Sequence, residues 1–393
     1  MIVPQAGLPP PLPQRPAAGP DGWVRAGLLL PLSGPQAAVG RAMLDAATLA
    51  LFQHDSPLVL LPKDTGGTPA GAAAAAEAVL REGASLILGP LFAAEAEAVG
   101  PIARSAGVNV LAFTTDAGAA RDNVFVLGQL PGPAVRRVVA AARAEGAERF
   151  AALVPDTPFG RVVLEAYRAA VTASGGTVVR EEVYSGNPDP AVRALADYAR
   201  RRGPIDAEIR AARAQGTAEG RRRAAELARG ARVPPPEFDA LILADGGERL
   251  RAVASLLAFY DIDNPPVRFL ATPLVAAMPD AGQEPALVGT LYAAPDEARR
   301  AAFEARFAEA FGSTPPLVAG VAFDAAAIAA VLAAGRDVSR GAIADPAGFA
   351  GVLGIVRLLP DGTNQRGLSL MAVTRGGARV VEPAPERFDD RMF

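Results

Sequence analysis

The chain has 393 residues, half of them hydrophobic and a fifth charged, with a formal net charge of −3. That length implies two or three domains with full cores, and that balance excludes a disordered tail, a collagen and a nucleic-acid binder. No cysteine is present, so disulfides, thiolate metal sites and cysteine nucleophiles are excluded; one histidine, His54, excludes a two-histidine metal site. Nearly all the cationic charge is arginine, since Lys63 is the only lysine, and alanine makes up about a fifth of the chain.

Residues 1–20 carry seven prolines and no helical or strand period, so 1–21 reads as an extended linker. It lacks the basic start and apolar core of a signal peptide. A linker in that position implies an export or lipidation segment ahead of it. No apolar run is long enough to make a transmembrane helix.

From Trp23 the chain alternates strand and helix. Trp23 to Leu32 reads as a buried strand entering the turn Ser33-Gly34-Pro35, followed by a helix over 37–52. A short strand at 58–61 and the turn at 63–67 precede Thr68-Pro69, a hydroxyl cap followed by a proline where no donor is needed. The helix 70–81 follows. Strand 85–88, helix 93–106, strand 109–113 and strand 124–127 continue the pattern, which requires parallel βαβ units with right-handed crossovers.

A second series begins at Pro131. Helix 134–145, strand 150–154, helix 162–173, strand 177–183, helix 190–202, strand 240–243, helix 249–260 and strand 268–271 make a second α/β lobe. Residues 203–236 interrupt it as an arginine-rich helical insertion. With its flanks, 200–237, it holds ten arginines against five acids, a local charge of +5. A strand near 288–293 leads to a helix with Phe303, Phe307 and Phe311 on one stripe, and then to a buried helix, 320–334, whose only charge is Asp324. The tail holds strand-like runs at 354–359, 367–373 and 378–381, separated by the hairpin signals Pro360-Asp361-Gly362-Thr363-Asn364 and Arg375-Gly376-Gly377.

No G-x-G-x-x-G follows a strand, no P-loop exists, and no G-x-S-x-G elbow appears. His54 ends the first helix, where a cation favours the C-terminus. Asp64, Asp116, Asp156 and Asp245 stand at strand ends; two could form a glycosidase-like carboxylate pair, but turns and caps are the commoner duty of aspartate there. What remains is ligand binding beyond the carboxyl ends of the strands, where helix N-termini present free N–H groups. The candidate ligand-binding residues are Ser33, Gly34, Pro90, Leu91, Phe92, Thr114, Thr115, Asp116, Phe159 and Asp245; no catalytic residue, cofactor or metal site is expected.

The order of the segments Val24–Pro35, Leu88-Gly89-Pro90-Leu91, Asp156–Gly160, Ala322-Phe323-Asp324-Ala325 and Arg357–Gly362 resembles the type I periplasmic binding proteins, in particular the leucine/isoleucine/valine-binding branch. The resemblance implies two doubly wound Rossmann-like lobes joined by a three-crossover hinge. Lobe 1 would be 22–128 plus 296–350 and lobe 2 would be 129–295 plus 351–393, with crossovers near Gly128, Ala294 and Gly351. The insertion, Ala244–Leu250 and Leu359–Leu368 are closer to the penicillin-binding protein activators, a lipoprotein branch of the same fold. That branch implies a non-enzymatic regulator of peptidoglycan synthesis acting on a periplasmic synthase, at the outer membrane through a missing N-terminal lipid anchor. The alternative is a periplasmic solute-binding protein that delivers a small polar, amino-acid-like ligand to an ABC permease. Small hydroxyl residues that hold a ligand carboxylate in amino-acid binders are replaced here by Phe92-Ala93-Ala94-Glu95, and Asp116 follows the fourth strand. Either acid would repel a carboxylate that it faced. A transcription regulator of this fold needs a helix-turn-helix in front, which the proline-rich start does not supply.

Overall fold

A computed structural model describes residues 17–53, 55–230 and 232–388. His54 and the first sixteen residues of the proline-rich segment lie outside the described residues. Packing divides the chain into two units. One takes in the described residues of Met1–Leu130 and of Pro385–Phe393 together with Pro295–Gly367; the other comprises Pro131–Ala294 and Leu368–Ala384.

The first unit opens with β1 (Val24–Leu30), α1 (Ala37–Gln53), β2 (Leu58–Asp64), α2 (Pro69–Arg81), β3 (Leu86–Leu88), α3 (Ala93–Ser105), β4 (Asn109–Ala112) and β5 (Val124–Val126). The five strands form a parallel sheet in the order β2-β1-β3-β4-β5. Strand residues alternate between two cores: Ala26, Leu28 and Leu30 face one, with Met43 of α1, while Leu29 and Ile87 face the other, with Val79 of α2 and Val99 of α3. Burial on both faces explains why β1 reads as a continuous apolar run. The Thr68 hydroxyl accepts from Gly71 N at 3.1 Å and Pro69 opens α2, the start expected from the sequence. The end of the proline-rich segment is packed: Ala18 bridges Val24, and the Ser85 hydroxyl donates to Ala17 O.

The second unit contains α4 (Pro131–Ala144), β6 (Arg149–Pro155), α5 (Pro158–Ala173), β7 (Thr177–Tyr184), α6 (Asp189–Ala196), α7 (Tyr198–Ala214), α8 (Ala218–Gly230), β8 (Ala240–Leu243), α9 (Gly247–Phe259), β9 (Arg268–Ala271) and β10 (Leu291–Ala294). Its strands β7, β6, β8, β9 and β10 run parallel. Again alternate residues divide between two cores, Leu241 and Leu243 on one side, Ala240 and Ile242 on the other.

The helix expected over 190–202 is two helices. Asp197 adopts a left-handed conformation (φ 43°) and turns the chain between α6 and α7. Helices α7 and α8 form the arginine-rich excursion, held by a small core of Ile209, Ala212 and Ala224. Arg201 fixes its base. This guanidinium is 7% exposed and donates to the carbonyls of Ala196, Pro234, Tyr260 and Asp261 at 2.6–3.3 Å.

The chain then returns to the first unit with α10 (Glu297–Phe311), α11 (Ala319–Ala334), α12 (Arg340–Ile343), β11 (Phe349–Gly351), β12 (Gly354–Leu358) and β13 (Asn364–Arg366). Helix α11 is buried almost throughout and lies against α1. The short strands β11, β12 and β13 form a separate antiparallel sheet. Finally β14 (Ser369–Thr374) and β15 (Gly377–Glu382) complete the second unit's sheet, in the order β15-β14-β10-β9-β8-β6-β7.

The third change of unit therefore falls between Gly367 and Leu368, not near Gly351. Residues 351–367 belong to the first unit because their polar groups bond within it. Asn364 donates to Val126 O and Gly128 O at 2.8 and 2.9 Å, and Arg366 donates to Leu127 O at 2.6 Å. Arg366 also sits 3.8 Å from the carboxylate of Asp324 on α11, with both side chains almost fully buried. Asp324 in turn accepts from Val352 N at 2.7 Å. Gly351 is required beside it, because a Cβ there would lie 2.4 Å from Asp324 Oδ1. After Ala384 the chain comes back once more, and Phe388 lies under the Arg357 guanidinium at 4.7 Å. The expected strand 367–373 is β14, which begins at Ser369 because Gly367 and Leu368 link it to β13 in the other unit.

Candidate functional site

In the first unit, the residues singled out from the sequence all stand beyond the carboxyl ends of the parallel strands. Ser33 and Gly34 follow β1, Pro90, Leu91 and Phe92 follow β3, and Thr114, Thr115 and Asp116 follow β4. The loops after β1, β2 and β3 meet. A Cβ on Gly66 would sit 3.7 Å from the Ser33 hydroxyl, and one on Gly67 would sit 3.6 Å from the Phe92 ring. Phe113 N donates to Pro90 O at 2.9 Å and ties the β4 loop to the β3 loop. Ser33, Gly34, Phe92, Thr115 and Asp116 are exposed, Leu91 is half-buried, and Pro90 and Thr114 are buried and shape the loops from within.

Two further side chains organise this edge. Asp64, the last residue of β2, accepts from Leu32 N, Ser33 N and Gly66 N at 2.8, 3.2 and 2.8 Å. The Ser33 hydroxyl, followed by these N–H donors, holds its carboxyl below the usual range. Glu95, the third residue of α3, accepts from Phe92 N at 3.1 Å and is 1% exposed. Burial raises its pKa, against the opposing hydrogen bonds from the Thr65 side chain and the backbone of Phe92 and Leu91. Asp116 makes a turn, accepting from Gly118 N at 2.8 Å while its own N–H donates to Thr114 Oγ1 at 3.1 Å. Asp64 and Asp116 thus perform the local backbone duty that aspartate has at strand ends.

In the second unit Phe159 and Asp245 follow β6 and β8. Phe159 is half-buried, one residue into α5 after Pro158, and packs on the core that contains Val163. Thr157 caps that helix through Gly160 N at 3.0 Å. Gly160 lets the helix approach β6, since a Cβ there would lie 2.0 Å from Pro155 O. Asp245 is 7% exposed, accepts a hydrogen bond from the Tyr184 hydroxyl, and lies 3.9 Å from Arg249 Nε. Burial raises the Asp245 pKa, and burial with the neighbouring carboxylate raises that of Tyr184. Asp156 pairs with Arg161 and accepts from the Ser185 hydroxyl at 3.4 Å. Tyr184 escaped the sequence reading because it ends a strand and reads as one more alternating apolar residue; its signal is a polar aromatic at the carboxyl end of a parallel strand. Among the described residues, no group of three or more histidine, cysteine, aspartate or glutamate side chains could hold a metal ion.

Each α/β unit thus carries polar loops and helix N-termini beyond the carboxyl ends of its parallel strands, the layout of the doubly wound α/β class. The chain belongs to the periplasmic binding protein family, whose pattern it matches over residues 24–378. Its fold is that of solved type I members. It is similar to a branched-chain amino acid ABC transporter protein from Rhodospirillum rubrum (22% identity, TM-score 0.70, covering 91% of this chain and 100% of that one). A solute-binding protein from R. palustris, solved with benzoate, is 17% identical with a TM-score of 0.56, covering 94% of this chain and 98% of that one. A leucine-binding protein from Thermotoga maritima is 16% identical with a TM-score of 0.53, over 92% and 98%. Among curated proteins, the uncharacterized protein RP748 of Rickettsia prowazekii is 20% identical over 168 residues, 43% of this chain and 45% of that protein. The chain thus spans less than half the length of that relative.

Proposed function

We propose that the protein is a non-enzymatic solute-binding component of an ABC importer that works in the periplasm. The observation that carries this reading is the match to the periplasmic binding proteins from residue 24 to residue 378. It is supported by solved neighbours described as ABC transporter binding proteins, among them one for leucine and one in complex with benzoate. Within the first unit, Ser33, Gly34, Phe92, Thr115 and Asp116 are the proposed ligand contacts; within the second, taken by itself, Phe159, Tyr184 and Asp245 are the candidates. Pro90, Leu91 and Thr114 support the first set from within. These comparisons favour transport over the regulation of a peptidoglycan synthase, and the exposed arginines of α7 and α8 are solvated side chains in this reading.

A ligand that binds the folded chain and not the unfolded one raises its stability by about 2.7 kcal/mol at a hundredfold excess over Kd. A thermal-shift screen on protein unfolded, dialysed and refolded to remove co-purified solute therefore tests the reading. A saturable rise with one chemical class of solute supports it. A flat response across amino acids, amines, aromatic acids and polyols overturns it.

A further inference from the structure

The arginine-rich excursion of the second unit holds cations that the fold does not use. At its base every arginine has a structural partner. Arg200 pairs with Asp197 and Glu237, Arg202 pairs with Asp206, and Arg201 donates to four carbonyls. Beyond the base, the seven arginines between 210 and 232 are all exposed and, among the described residues, form no ion pair. Three equally unpaired carboxylates, Glu208, Glu219 and Glu226, stand among them.

Helix α8 carries four of the seven and packs chiefly on α7, through Gly220, Ala224 and Leu227. Away from that contact, Ala218, Arg221, Arg222, Ala225 and Arg229 stand at i, i+3, i+4, i+7 and i+11, which puts them on one exposed face. Glu219, Arg223 and Glu226 occupy the adjoining face. Arg221 and Arg229 each donate once to a backbone carbonyl, of Gly216 and Ala225, which leaves their charge uncompensated.

A second observation selects the partner. Among the described residues of the excursion no large apolar side chain is exposed. A specific protein interface buries aromatic or aliphatic anchors at its centre, and this face offers none. Guanidinium groups pair with phosphate oxygens without such anchors. Residues 200–237 carry +5 in a chain of net charge −3, so the remainder is acidic and a negative surface attracts this face first.

We infer that the outer face of α8 docks on an anionic phospholipid bilayer, through headgroup phosphates and without insertion. This inference does not depend on the solute-binding reading. Each arginine held near such a surface strengthens binding about fivefold, and salt screens the attraction.

Cosedimentation of the full chain with phosphatidylcholine vesicles, with and without about 30% phosphatidylglycerol, tests it in about 50 and 500 mM salt. Binding to the anionic vesicles alone, lost at high salt, is expected. The triple variant Arg221→Ala, Arg222→Ala, Arg229→Ala should bind roughly a hundredfold more weakly with an unchanged urea midpoint. If that variant unfolds, Arg222→Ala by itself is expected to lose about fivefold. Arg41→Ala, at an exposed arginine of α1, should bind as the parent does. No binding to the anionic vesicles at low salt, equal binding to neutral ones, or α8 variants that bind as well as the parent overturn the inference. Binding to soluble poly-L-glutamate without binding to the vesicles also overturns it, and assigns the face to an acidic protein instead.

Discussion

Two tyrosines of the second unit differ in one respect, and removing their hydroxyls should move stability in opposite directions. Tyr167 on α5 is fully buried, edge-on to Phe150 with ring centroids 6.1 Å apart, and its hydroxyl has no hydrogen-bond partner. Tyr184 is buried too, but its hydroxyl donates to the Asp245 carboxylate. Tyr167→Phe keeps the ring contact and removes an unsatisfied polar group, which costs the folded state about 1–3 kcal/mol. The variant should therefore be more stable, and a gain of about 1 kcal/mol corresponds to roughly 2–4 °C for a unit of this size. Tyr184→Phe removes a bond to an ionised group worth about 1.5–3 kcal/mol and leaves Asp245 with only Arg249 nearby. It should be destabilised by that order. Urea unfolding followed by far-UV circular dichroism, with hydrogen exchange of the β6 amides as the local probe, measures both. A destabilised Tyr167→Phe variant, or two variants that shift in the same direction, would refute the hydrogen-bond assignment on which this reasoning rests.

The buried carboxyl of Asp324 gives a pH signature. Burial is the largest influence on it and outweighs the attraction of Arg366, raising its pKa from 3.8 to about 6. The folded chain therefore keeps a proton that the unfolded chain has lost between these values. The stabilisation is complete below pH 4 and is lost as pH rises through 6, a change of about 3 kcal/mol. The stability difference between the parent chain and Asp324→Asn should shrink accordingly from pH 4 to pH 7, and an unchanged or growing difference contradicts the assignment. At the base of the arginine-rich excursion, Arg201→Ala leaves four carbonyls without their donor and should destabilise the second unit by about 3 kcal/mol or more, as chemical denaturation would show. Arg222→Ala on α8, an exposed residue, should change stability by less than about 0.5 kcal/mol in the same assay.

Much of this architecture is legible in the sequence because period-two and period-3.6 patterns report burial directly. The run Val24–Leu30, the Thr68-Pro69 and Thr157-Pro158 starts and the hairpin turns after Leu358 and Thr374 need only local rules. Features set by tertiary partners escape those rules. Arg200, Arg201 and Arg202 are consecutive and chemically identical, yet only Arg201 turns inward to the carbonyls of Tyr260 and Asp261. The place where the tail changes unit depends on Asn364 and Arg366 reaching carbonyls more than two hundred residues earlier. The short strand β11 has two of its three residues only half-buried and one exposed, so it carries no apolar run. At the candidate site, the strand-end loops are legible from their turn residues. The roles of Asp64 and Glu95 are not, since an acid that satisfies its own backbone has the same one-letter signature as one that meets a ligand.

In the function proposed above, this chain holds a small solute without transforming it. Equilibrium dialysis of the refolded full chain against the solute that gives the largest thermal shift, followed by native mass spectrometry and chemical analysis of the released solute, tests it most directly. One solute per chain at saturation, recovered unaltered, is the expected result. No bound solute at saturating concentration, or a solute recovered chemically changed, would contradict it.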